Sequence, residues 1–106
     1  MVIVLGSARA RADAFDEALA LSRSHVAHSR GEPGCLSHDV LRDPDDAQRL
    51  VFVERWADTA ALQVHFGIPE SRTFVRALAA LCVEPPRMTL HDATELPMPA
   101  PKMGAP

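Results

Sequence analysis

An α+β fold of order β-α-β-β-α-β follows from three observations along this chain of 106 residues. The chain opens on a β-branched apolar run, Val2-Ile3-Val4-Leu5, and apolar residues then recur at helical spacing from Phe15 to Val26. Two more strand-like segments flank the loop Asp43-Pro44-Asp45-Asp46, and a second helical stretch follows them. A central hairpin with a strand and a helix on either side in sequence is the split βαβ arrangement, in which two helices cover one face of a four-stranded antiparallel sheet.

Each element has a local reason. Residues 2–8 are β-branched and apolar, which suits a strand. From Asp13, a candidate cap, the positions Phe15, Ala18, Leu19, Ser22 and Val26 share one helical face, and Asp16 and Glu17 fall in the first turn, where the helix dipole favours acids. Gly31 supplies a stop and Glu32-Pro33-Gly34 a turn. Residues 35–42 and 49–56 read as an antiparallel hairpin. Asp58 caps a short helix that runs to about His65. Pro69 then starts a new helix whose apolar stripe is Phe74, Val75, Leu78, Leu81 and Cys82, and Pro85-Pro86 ends it. Residues 87–92 form the last strand. One domain over residues 1–94 is expected, followed by a proline-rich tail over 95–106 that is extended or disordered because it has almost nothing to pack.

Composition narrows the function classes. The net charge is -3, and 11 Lys and Arg residues are scattered among 14 acids, so there is no electrostatic footprint for nucleic acid. Apolar runs are only a few residues long, against the ~20 needed to cross a bilayer, so no membrane partner is expected. The first run lacks a preceding basic region and reads as a strand, not a signal peptide. Cys35 and Cys82 lie far apart without CxxC spacing and suit buried, reduced thiols, which fits a cytoplasmic chain.

In the third strand, Leu50 and Phe52 point one way and Val51 and Val53 the other. Helices can cover only one of those apolar faces. The open sheet face therefore predicts a homodimer.

The turn Glu32-Pro33-Gly34-Cys35-Leu36, the loop Arg42-Asp43-Pro44-Asp45-Asp46, and Glu54-Arg55-Trp56 with Asp58 and His65 after it resemble the antibiotic biosynthesis monooxygenase family. The resemblance runs from the first strand through Leu90 and leaves out the tail. It implies a ferredoxin-like domain that pairs into a dimeric α+β barrel, with a pocket between sheet and helices in each subunit. Members of the family include oxygenases that convert a phenol or quinol to a quinone without a bound cofactor, haem-degrading proteins, and small domains with no known reaction.

Oxygenation of a phenol without a cofactor needs an aromatic wall, a donor or cation to stabilise a phenolate, and a dry pocket. The expected catalytic residues are Trp56, a flat surface with an indole N–H, His65 or His38 to handle a proton, and Arg76 to stabilise the phenolate. Phe52, Phe66, Phe74 and Leu78 are the expected lining for a small planar aromatic molecule. In phenol-oxidising relatives the tryptophan works with an asparagine on its strand and an arginine on the later helix. Here Phe52 stands in the asparagine's place, and the chain contains no asparagine.

The plainer readings are a packing role for Trp56, a solvated helix arginine at Arg76, a helix-terminal His65 and a core or interface His38. His25 and His28, three apart, read as surface histidines because no further ligands accompany them at recognisable zinc spacing, and no metal is expected. His91 carries no assignment.

The alternative function is a non-catalytic dimeric binding module of the same fold. Haem degradation ranks third, because the first strand has Leu5 and Gly6 where an asparagine would be needed, and no histidine lies between Pro69 and Pro86. The chain also lacks nucleotide-binding glycine loops, a GxSxG elbow, HExxH and any tyrosine.

Overall fold

Four strands, β1 (Val2–Arg9), β2 (Cys35–Arg42), β3 (Arg49–Trp56) and β4 (Arg87–Asp92), form one antiparallel sheet in the order β2-β3-β1-β4. The helices are α1 (Phe15–Ser29), α2 (Thr59–Gly67) and α3 (Pro69–Ala80), with a 3-10 turn over Ala12–Ala14 ahead of α1. This is the expected ferredoxin-like α+β fold, seen in a computed structural model that describes residues 1–101 and 104. Residues 93–101 hold no helix or strand, and the rest of the tail, apart from 104, lies outside the described residues. Among the described residues, no helix is long and apolar enough to cross a membrane.

Side-chain alternation sets the two faces of the sheet. Val2, Val4 and Ala8 of β1, and Leu50, Phe52, Glu54 and Trp56 of β3, are buried toward the helices. The buried residues of α1 are Ala18, Ser22, Val26 and Ser29. All four are small or β-branched, which lets the helix lie close to the sheet.

Three local devices differ from expectation or sharpen it. Asp13 sits inside the 3-10 turn, and Ala14 is the N-cap residue of α1, which has no side-chain cap. Gly31 is not in the left-handed region; the turn places that conformation at Gly34, with φ of 81°. A Cβ on Gly34 would stand 2.5 Å from the Ala61 Cβ, so this glycine also lets the start of β2 press against α2. Asp58 does cap α2, its Oδ1 accepting from the Ala61 N–H at 2.8 Å. At the α2–α3 junction, Ile68 is extended and Pro69 occupies the first turn of α3, which splits the second helical stretch in two.

The helix-covered core has two centres. One joins Ala8, Ala10, Ala18, Leu50, Phe52, Phe74 and Leu78; the other joins Val2, Val4, Trp56 and Leu62. On the uncovered face Leu5 pairs with Val53, and Val51 with Leu41. Leu5 and Leu41 are about half exposed, so this face presents apolar surface to solvent.

Candidate functional site

The site begins at Glu54, the one acid on the buried face of β3. A carboxylate here would be costly without partners, and two neighbours provide them. Trp56, two residues along on the same face, donates its indole N–H to Glu54 Oε1 at 3.0 Å. His38, paired with Glu54 across the β2–β3 ladder, brings Nε2 to 3.1 Å from the same oxygen. Burial pushes the Glu54 carboxyl upward, but the contact with His38 and the indole N–H outweigh it and hold the group below its ordinary value. Glu54 is therefore ionised at neutral pH.

Around this pair lie two more imidazoles. His65, buried on α2, shares a hydrogen of Nδ1 with Glu32 Oε1 at 2.8 Å, and its ring packs 4.6 Å from the Trp56 ring. His25 of α1 stacks flat on Phe74 of α3, with centroids 3.9 Å apart. Burial, then His38 and His65, push the His25 pKa down to about 4, so this ring is neutral at pH 7.

A cavity of about 160 Å³ opens between the sheet and α3, lined by Gly6, Ser7, His25, Phe52, Glu54, Phe74, Val75, Leu78, Pro86, Arg87 and Met88. Its walls are mainly apolar and aromatic. Gly6 contributes by what it lacks, since a Cβ there would lie 3.2 Å from the Phe52 Cβ and crowd that wall. Arg87, the first residue of β4, stands at the exposed rim.

The expected site residues fall into three groups. Phe52, Phe74 and Leu78 line the cavity. Trp56, His38 and His65 are packed behind it, Trp56 being 0 % exposed, and the indole reaches the cavity only through its bond to Glu54. Phe66 and Arg76 line a separate shallow groove with Ser71, Arg72 and Val75, so Trp56, His65 and Arg76 do not converge on one cavity.

Three residues that line the cavity are not singled out by the sequence. In the sequence Glu54 reads as part of a family signature, Arg87 as the start of a strand, and His25 as a surface residue. The reading of His25 is corrected: it is part of the core rim, stacked on Phe74 and beside His38 and His65. A signal was available, because His25 lies three residues after Ser22 and four before Ser29, both on the buried face of α1. His28 does stay near the surface, 3.5 Å from Glu32 Oε2. Burial raises the pKa of both free thiols, Cys35 and Cys82, which disfavours the reactive thiolate.

The family model for antibiotic biosynthesis monooxygenase matches residues 1–77. The chain belongs to this family. A crystal structure of an antibiotic biosynthesis monooxygenase superposes with a TM-score of 0.83 at 32 % identity, covering 90 % of this chain and 100 % of that one. The structure of Rv0793 from Mycobacterium tuberculosis gives a TM-score of 0.83 at 27 % identity, over 90 % of this chain and 96 % of that one. An uncharacterized protein of Synechocystis sp. is 31 % identical over 94 residues, 89 % of this chain, and the match spans only 64 % of that protein's length.

Proposed function

We propose that the chain is a monooxygenase that oxidises a small planar phenol or quinol with O2, with no bound cofactor. The observation that carries this reading is the apolar, aromatic cavity with an ionised carboxylate and a cation on its wall, in a chain of this family. The substrate ring rests against the lining side chains Phe52, Phe74 and Leu78, and Glu54 accepts the hydroxyl proton. Arg87 at the rim stabilises the phenolate in the place first given to Arg76. Trp56 and His38 act by positioning Glu54.

The phenolate is then electron-rich enough to reduce O2 itself. One oxygen atom becomes the new carbonyl and the other leaves as water, with all four electrons coming from the substrate. The same reading includes a homodimer through the open sheet face around Leu5, Leu41, Val51 and Val53. Light scattering that gives the mass of a single 11.5 kDa chain would remove that part.

The test is oxygen uptake by metal-stripped protein with a panel of hydroquinones and anthrones. Uptake above the buffer rate is expected, falling at least tenfold in Glu54→Gln and in Val75→Trp, which obstructs the cavity from a half-exposed position. Uptake no faster than in buffer, or unchanged in both variants, would overturn the reading. The sealed Trp56 and the separate groove at Arg76 favour the second reading, a non-catalytic binding module. Saturable binding of the same compounds without oxygen uptake would establish it.

A further inference from the structure

His25 on α1, His38 on β2 and His65 on α2 each offer a ligand nitrogen, and these nitrogens all lie within 4.8 Å of one another. Their ring centroids are 5.3, 5.4 and 5.7 Å apart, close to an equilateral triangle. We propose that this triangle is a binding site for one divalent first-row transition-metal cation, with zinc as the working probe. The oxygenation reading assigns proton acceptance to Glu54 and needs no metal, although His38 and Glu54 belong to both arrangements.

Ligand chemistry selects the class of ion. Three imidazoles without a carboxylate or thiolate ligand suit zinc, copper, nickel or iron, whereas calcium and magnesium require oxygen donors. Two of the rings are almost sealed, His38 at 1 % exposure and His65 at 3 %, so water competes poorly for their nitrogens. His38 carries the strongest sign of a missing partner. Its Nδ1 is buried with no partner at all, whereas Nε2 at least stands 3.1 Å from Glu54 Oε1. Buried polar atoms are otherwise almost always satisfied.

The outer groups also match a metal site. Glu32 Oε1 accepts from His65 Nδ1, which leaves Nε2 as the ligating nitrogen, and Glu54 Oε1 stands beside His38 Nε2, which leaves Nδ1. A carboxylate behind a ligating imidazole fixes its tautomer and raises its basicity. Tetrahedral zinc with bonds of 2.0–2.1 Å needs donors about 3.3 Å apart, so the nitrogens must draw inward by as much as about 1.5 Å. Rotation of the imidazole rings, with His25 at the rim of an open cleft, supplies that movement.

One corner of the triangle, His25, faces an open cleft. His25, His28, Ser24 and Glu70 line a cleft of about 430 Å³ between α1 and α3. Three protein ligands leave a fourth position open to water.

Zinc chloride titrated into chelator-stripped full-length protein, without any phenol, should bind at one ion per chain. His25→Ala, on a helix face where alanine is well tolerated, should weaken binding at least a hundredfold. Glu32→Gln should weaken it ten- to a hundredfold, and His91→Ala should leave it unchanged. Cobalt(II) should give the visible absorption of a four-coordinate imidazole site, and that absorption should vanish in His25→Ala with the fold intact by circular dichroism. Substoichiometric binding, equal affinity in His25→Ala and the parent protein, or six-coordinate cobalt spectra would overturn the proposal. Metal binding without oxygen uptake, or the reverse, separates the fate of this site from that of the oxygenation reading.

Discussion

The two ends of β3 lie on the same face of the same sheet and under the same layer of helices, yet they are built on opposite principles. At Leu50 the strand enters a wholly apolar centre with Ala8, Ala18 and Leu78. Four residues on, at Glu54, it enters a cluster of carboxylate, indole and imidazoles. The apolar end is held by area removed from water and close packing, which are non-directional and tolerate swaps of similar volume. The polar end is held by directional contacts, each of which leaves a buried partner unsatisfied when it is lost. The titratable groups of the candidate site accordingly gather at the end that packs less simply.

Breaking the apolar end should have the largest effect. Leu50→Ala removes a fully buried side chain where no polar group can respond, and should cost about 3 kcal/mol in urea denaturation. A loss under about 1 kcal/mol would show that this centre collapses around the cavity. Trp56→Phe tests the polar end, keeping an aromatic ring while removing the N–H on Glu54, and should cost about 2 kcal/mol. If its stability matched the parent protein, the bond would be unimportant and Glu54 would be held by His38 alone. Arg76→Ala, exposed and outside both centres, should change stability by less than about 0.5 kcal/mol. A larger loss would mean that the groove it shares with Phe66 is part of the core.

Much of the fold was legible because it depends on period and punctuation. β2, β3 and β4 run over the residues expected from their apolar patterns and turn formers. Asp58 and Pro69 act as read, because caps and first-turn prolines work within a few residues. Asp13 and Gly31 did not act as caps, since a 3-10 turn and the Glu32-Pro33-Gly34 turn took over those ends. The site was less legible. Phe52, Phe74 and Leu78 follow from apolar periodicity, whereas the position of Trp56 behind the cavity depends on how deeply α2 settles on the sheet.

The sequence by itself determined the family, the element order, the faces of each strand and, in Phe52, Phe74 and Leu78 but not Phe66, most of the expected apolar lining. These rest on local chemistry and on periods of 2 and 3.6 residues. Only the tertiary structure decided that His25, His38 and His65 meet, that Arg87 and not Arg76 reaches the cavity, and that Glu54 is the acid at its wall. Those facts join residues dozens of positions apart on different elements. No spacing along the chain encodes such meetings, because the packing of α1, α2 and α3 against the sheet brings the residues together.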